Sequence, residues 1–241
     1  MPIDFNSHEL KSLLRQFENF LQNVSNDSEQ LQGTLRLGVV PIVDTAFVPQ
    51  LVGQFAAEHP EVNVSIQEVS STEIETALEE GRMDLGLGFV TRHSPNLRYE
   101  HLCHDEFALI VPEGHPWWKR NVIKLSEIHQ QRLAQLPDTF ATRRMTDEIC
   151  QAHQIRPRTI AEISAIETLL RSLGPLGAAA LMPKVVLLRT QGYKLKAIPL
   201  QGKGLKLEIG LLRLKDSGGS STVRAFSRIA HDLVPKMIKK Y

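Results

Sequence analysis

After Gly33 the sequence alternates short apolar segments with amphipathic ones, and this alternation restricts the possible folds more than any other feature. The apolar segments have the length of buried strands, and the segments between them have the 3.6-residue period of helices. In chain order we predict strands and helices at Thr34–Val40, Ala46–His59, Glu61–Val69, Thr72–Glu80 and Asp84–Phe89. Such a series folds as a parallel sheet with right-handed crossovers. The sequence therefore predicts an α/β lobe.

A second series of the same kind follows, and the chain then returns towards the first. Tyr99–Leu102 and Phe107–Val111 are predicted as two further strands, and Leu205–Leu214 as a long returning strand before a last helix, Thr222–Lys239. We therefore predict two Rossmann-like lobes. The first comprises residues 33–103 and 206–241, and the second comprises residues 104–205.

The first 32 residues differ from the rest because their pattern predicts an amphipathic helix, interrupted at residues 25–28. Its apolar positions fall three and four residues apart, at Leu10, Leu13, Leu14, Phe17 and Leu21. This stripe either packs on its own domain or pairs with the same helix of a second chain. We favour pairing, and interpret residues 1–32 as an oligomerisation helix.

Composition excludes several classes of protein. The net charge is +1 over 241 residues, so the chain lacks the basic excess of a free-standing nucleic-acid binder. No apolar run approaches the roughly 20 residues of a membrane span, and the N-terminus does not resemble a signal peptide. We therefore expect a cytoplasmic protein, with Cys103 and Cys150 as free thiols.

Several motifs together resemble those of LysR-type transcriptional regulators. They lie at Leu31–Gly38, Pro49–Val62, Leu78–Gly88, Pro112–Pro116 and Leu173–Pro183. Each motif is weak alone, but their order and separation are specific. Within the family, Phe140–Arg143 and His93–Leu97 are most similar to regulators of cyanate-utilisation operons.

The resemblance implies a fold and a function. The fold would be that of type II periplasmic binding proteins, with two crossover strands joining the lobes and a linker helix before them. The function would be to sense a small, anionic effector within a homodimer or homotetramer. Promoter DNA would be bound only through a winged helix-turn-helix that precedes the linker helix in the family and is absent here.

Four helix starts are predicted to bind the effector, because ligands of open parallel sheets bind beyond the carboxyl ends of the strands. Free N–H groups at these ends favour an anion. The candidate residues are Pro41, Ile42, Ser71, Thr72, Phe89, Thr142, Arg143 and Ser164. Arg143 is the candidate counter-charge for an acidic ligand, and Asp44 opposes an anion unless it caps its helix.

Each of these residues also has a structural interpretation. Ser71, Thr72, Thr142 and Ser164 have the residue types of ordinary N-caps, and Arg143 could be a solvated residue of a first helical turn. The sequence contains no nucleophile elbow or phosphate loop. We therefore expect no catalytic residue, no cofactor and no metal. A transport-type solute-binding protein, which has the same two-lobed plan, is the alternative function.

Overall fold

The computed structural model describes residues 31–90, 94–190, 192–215 and 220–239. The chain divides into two compact units. Unit 1 comprises the residues up to Cys103 and those from Ile209 onward, and unit 2 comprises residues 104–208. Among the described residues, no helix combines the length and apolar character that crossing a bilayer requires.

Unit 1 is an α/β sheet with helices packed on it. Strands β1 (Gly33–Val39), β2 (Val62–Glu68) and β3 (Leu85–Phe89) alternate with helices α1 (Pro41–Glu58) and α2 (Ser71–Glu79). β1 pairs in parallel with β2 and with β3, and the returning strand β10 (Lys206–Leu214) pairs antiparallel with β3. The last helix, α5 (Ser221–Lys239), packs on α1, where the rings of Phe55 and Phe226 meet edge to face at 5.4 Å.

Small residues let α2 pack closely on the sheet of unit 1. A Cβ at Gly86 would lie 2.4 Å from Cγ2 of Ile74, and a Cβ at Gly38 would lie 2.3 Å from the sulfur of Met83. Since such distances are below van der Waals contact, glycine is required where these side chains cover the strands.

Unit 2 contains the second part of β4 (Leu97–Pro112), which pairs antiparallel with β8 (Ala180–Pro183) and with β9 (Leu195–Gln201). A short β5 (Ile123–Lys124) runs parallel to β9. Strands β6 (Arg132–Gln135) and β7 (Arg158–Glu162) form a separate parallel pair. Two α-helices, α3 (Ala141–Ala152) and α4 (Ile166–Leu176), and two 3₁₀ turns, Leu125–Ile128 and Lys184–Arg189, complete the described part of the unit.

The α/β architecture confirms the predicted fold class, but some predicted elements were wrong. Helix α1 begins at Pro41 and not at Ala46, because proline is well tolerated in the first turn, where its missing N–H has no acceptor in any case. Its N-cap is Val40, so Asp44 does not cap it. The two strands predicted between residues 99 and 111 form the single strand β4.

The predicted oligomerisation helix lies outside the described residues, as does His93 of the cyanate-type motif. Cys103 is buried and Cys150 is half-buried, and neither forms a disulfide in the described part of the chain. Burial, followed by the charge of Asp147, raises the pKa of the Cys150 thiol to about 11. The Cys150 thiolate is therefore scarce at neutral pH, and a redox role for this residue is not favoured.

Candidate functional site

Two helix starts lie at the carboxyl edge of the sheet in unit 1, and we call this region the unit 1 mouth. Strands β1 and β2 end in register, with Val39 opposite Glu68. Helix α1 begins at Pro41, directly after β1, and α2 begins at Ser71, shortly after β2. Amides of a first helical turn have no acceptor within the helix. Pro41 has no N–H, and the amides of Val43 and Glu73 are already bonded to the Val40 carbonyl and to Ser70 Oγ. The amides without an acceptor in their own helix are those of Ile42, Ser71 and Thr72, at the positive ends of two helix dipoles.

Adjacent serines at the start of α2 have different surroundings. Ser70 is the N-cap: its Oγ accepts a hydrogen bond from the Glu73 amide at 3.2 Å, and the Glu73 carboxylate accepts one from the Ser70 amide at 3.4 Å. Ser71 is only 9% exposed, and its Oγ has neither solvent contact nor a hydrogen-bond partner in the described part of the chain. A buried hydroxyl without a partner is unfavourable, so Ser71 Oγ has unused hydrogen-bonding capacity although it has no solvent-accessible surface.

Two carboxyl groups meet at the same mouth. Asp44 lies in the first turn of α1, and Glu68 is the last residue of β2. Desolvation of Glu68, followed by a hydrogen bond and charge repulsion from Asp44, raises the pKa of Glu68 to about 7. The pair therefore holds a proton near neutral pH. Local sequence patterns could not predict this contact, because the two residues are 24 positions apart.

The other candidates in unit 1 differ in how much of their side chain is available. Pro41 is half-buried and Thr72 is exposed at the mouth. Ile42 and Phe89 are buried in the core, with 1% and 2% of their surface exposed. The side chains of Ile42 and Phe89 therefore contribute to packing within unit 1.

In unit 2, the start of α3 lies beside the carboxyl end of β6. Thr142 is 5% exposed and borders a small cavity of about 10 Å³. Gln135, Leu136, Arg143, Thr146, Leu181 and Met182 also line it. This space holds about one water molecule. A larger ligand would enter this small cavity only if side chains moved, but Gln135 and Arg143 also line a separate, open cavity of about 760 Å³.

Arg143 is engaged by acidic partners within unit 2. Its Nε donates to both carboxylate oxygens of Asp147, at 2.9 and 3.0 Å, and its Nη1 donates to the Leu136 carbonyl at 2.9 Å. Nη1 also lies 3.3 Å from Glu162. The interpretation of Arg143 as a solvated side chain is therefore wrong, since only 17% of the side chain is exposed. Its charge is offset by these two acids.

The N-cap interpretation fails for all four hydroxyl candidates. The N-caps of α2, α3 and α4 are Ser70, Phe140 and Ala165, and neither Phe140 nor Ala165 makes a side-chain capping bond. Ser71, Thr72 and Thr142 lie inside their helices, and Ser164 precedes the cap of α4. Because α3 and α4 lack side-chain caps, their first amides are also open to a ligand.

Comparison with known proteins decides the family. A family model described as the LysR substrate binding domain matches residues 28–234. The chain belongs to this family. The transcriptional activator protein LysR of Escherichia coli is 28% identical over 211 residues, which cover 86% of this chain and 66% of that protein. The chain thus spans a little under two thirds of the length of this curated relative.

Solved structures support the same fold. The regulatory domain of CcmR from Synechocystis PCC6803, in complex with 2-PG, has a TM-score of 0.76 and 18% identity, covering 86% of this chain and 99% of that one. The effector-binding domain of QuiR in complex with shikimate has a TM-score of 0.70 and 21% identity, covering 85% and 98%. The fold is therefore that of LysR effector-binding domains, as the sequence motifs predicted.

Proposed function

We propose that this chain is the effector-sensing and oligomerisation module of a cytoplasmic LysR-type transcriptional regulator. The observation that carries the proposal is the buried, unpartnered Oγ of Ser71 at the start of α2. Family membership supports it, since two structural relatives are described in complex with shikimate and 2-PG. The regulators among its relatives also favour this function over transport.

The proposed contacts lie at the helix starts of each unit. In unit 1 they are the hydroxyls of Ser71 and Thr72, and the backbone at Pro41 and Ile42, with Phe89 supporting the strand beside them. In unit 2 they are Thr142, Ser164 and Arg143. Arg143 would bind an acidic group by exchanging Glu162, whose side chain is 55% exposed.

Ligand binding regulates only if the ligand prefers one of two states of the protein. We propose that effector binding changes the arrangement of protomers in a homo-oligomer. Pairing of the N-terminal stripe, which includes Leu13 and Phe17, would hold the protomers together. Leu13→Glu with Phe17→Glu should therefore shift the oligomer to smaller species in light scattering. An unchanged mass would mean that the stripe packs within its own chain.

A thermal-shift screen of small metabolites tests the sensing proposal. The panel contains carboxylates, amino acids, phosphate esters and cyanate, and we expect at least one compound to raise the Tm, because a ligand that binds only the folded state stabilises it. Calorimetry then measures the Kd of each hit. If no compound binds, the proposed function is contradicted.

Variants locate the site. Ser71→Ala and, separately, Thr142→Ala with Arg143→Ala should each weaken binding of a hit by about tenfold or more, the loss expected for one good hydrogen bond. Thr76→Ala is the control in α2, since the Thr76 hydroxyl donates to the Thr72 carbonyl and is exposed. Unchanged affinity in the Ser71 variant, or an equal loss in the control, would exclude the unit 1 mouth.

A further inference from the structure

A large cavity of unit 2 extends along α3, beside the helix start described above. It has a volume of about 760 Å³ and lies between α3, the β6–β7 pair and the loop that joins α3 to β7. Its lining residues on α3 follow the spacing of one helix face, at Arg143, Asp147, Cys150 and Gln151. The volume is within the range of small-molecule sites, roughly 300–1,000 Å³.

The charged groups of this cavity leave one positive charge without a partner. Arg143 and Asp147 offset each other, because Arg143 Nε donates to both carboxylate oxygens at 2.9 and 3.0 Å. Arg156 also lines the cavity and is exposed, and its guanidinium has no acidic partner among the described residues. A guanidinium without a partner binds a carboxylate or a phosphate through charge-assisted hydrogen bonds.

The uncharged polar groups of the lining suit hydroxyl groups. Gln135 Nε2 donates to Thr159 Oγ1 at 2.6 Å, which leaves the Gln135 amide oxygen as an acceptor and the Thr159 hydroxyl as a donor. The exposed side-chain amides of Gln151 and Gln154 form no hydrogen bond within the described part of the chain. This mixture of donors and acceptors matches a polyol, whose hydroxyl groups both donate and accept.

We propose that this cavity is a second ligand site, which binds a polyhydroxylated anion, either a sugar phosphate or a sugar acid. The acidic group binds Arg156, and the hydroxyl groups bind the glutamine amides and the Thr159 hydroxyl. The site goes beyond the proposed function, because these contacts lie outside the helix starts at which the effector is proposed to bind.

The lining disfavours other classes of small molecule. An amine would meet the positive charge of Arg156, and the only acid of the lining, Asp147, is already bonded to Arg143. An apolar acid would leave the glutamine amides without partners, since the aliphatic part of the described lining is limited to Ile155 and Pro157. No aromatic ring belongs to the described lining, so a nucleobase would have no side chain on which to stack.

Calorimetry of the full chain with four probes tests the proposal. The probes are glucose 6-phosphate, gluconate, glucose and inorganic phosphate. We expect glucose 6-phosphate or gluconate to bind with a Kd below about 1 mM. Glucose and inorganic phosphate should each bind at least about tenfold more weakly, because each lacks one of the two kinds of recognised group. The tighter of the first two probes distinguishes a phosphate ligand from a carboxylate ligand.

Variants test the contacts. Arg156→Met should weaken binding of the tighter probe by about tenfold or more, the loss expected for a charge-assisted hydrogen bond. Arg158→Met is the matched control, since side chains alternate along β7 and Thr159 is the β7 residue that lines the cavity. It should leave the affinity unchanged. Gln151→Trp should abolish binding without a change of charge, because the indole occupies the cavity.

Modification of Cys150 locates the bound probe independently. Cys150 lines the cavity and is half-buried, and burial, followed by the charge of Asp147, raises the pKa of its thiol to about 11. Reaction with N-ethylmaleimide is therefore slow, and mass spectrometry follows it at about pH 9, where more thiolate is present. A probe at saturating concentration should slow this reaction, whereas a ligand confined to the helix starts should not.

Four results would each overturn the proposal. They are failure of both glucose 6-phosphate and gluconate to bind, equal binding of glucose or inorganic phosphate, an equal loss of affinity in Arg156→Met and Arg158→Met, and binding without protection of Cys150. Each would leave the proposed function standing, because the metabolite screen and Ser71→Ala test effector sensing separately.

Discussion

Replacing Ser71 by alanine should stabilise the protein, whereas replacing its neighbour Ser70 should destabilise it. A buried hydroxyl without a partner costs about 1–3 kcal/mol relative to a paired one. Alanine removes this cost and is also the better helix former, by about 0.5 kcal/mol. We therefore expect Ser71→Ala to raise the free energy of unfolding by about 1–2 kcal/mol.

Ser70→Ala has the opposite sign because it removes the hydrogen bond from the Glu73 amide to the N-cap. Loss of a serine N-cap costs about 1 kcal/mol. Two adjacent and chemically identical substitutions should therefore differ by about 2–3 kcal/mol. Urea unfolding followed by circular dichroism measures the free energy of unfolding of both variants. Thermal unfolding should show a rise in Tm of a few degrees for Ser71→Ala.

The sign of the stability change in Ser71→Ala tests whether the Ser71 hydroxyl lacks a hydrogen bond within the protein. If Ser71→Ala lowers stability as much as Ser70→Ala does, the Ser71 hydroxyl is already bonded within the protein. The Ser71 hydroxyl would then not be available to bind a ligand. A gain in stability with a loss of effector affinity would instead identify a residue retained for binding.

Other substitutions test the packing and charge of unit 1. Gly210→Ala should lower the free energy of unfolding in urea by about 3 kcal/mol or more, since a Cβ there would lie 2.5 Å from the Glu100 carbonyl oxygen. Gly53→Ala should instead stabilise α1 by up to about 1 kcal/mol, because a Cβ at Gly53 would have no atom within 4 Å. Although partial burial opposes ionisation, hydrogen bonds from Arg213 and His231 lower the pKa of Glu100. This stabilisation is present above the usual glutamate pKa and is lost as pH falls below it. Arg213→Met should therefore flatten the dependence of stability on pH between about 5 and 3, and an unchanged slope would contradict this role of the ion pair.

Most helices and strands were predictable from the sequence, because hydrophobic residues recur with clear helical or strand periods in β1, β2 and β3 and in the helices between them. The start of α1 was not, since the apolar run around Pro41 has no polar N-cap. The unity of β4 was missed because polar residues interrupt its apolar pattern between Cys103 and Phe107. The two-residue strand β5 is too short to give a period.

The candidate site was predictable in position but not in chemistry. Hydroxyls at helix starts follow from sequence, and so does the pairing of Arg143 with Asp147 four residues later. The contact of Arg143 with Glu162 and the pairing of Asp44 with Glu68 depend on how strands and helices are brought together. The burial of Ser71 depends in the same way on tertiary packing.

Amide chemical shifts of the full chain, measured by NMR while a screening hit is added, test effector binding at the helix starts most directly. We predict the largest shifts at Ser71 and Thr72 in α2, with accompanying shifts at Ala141 and Thr142 in α3. Shifts confined to residues away from these helix starts would contradict the account.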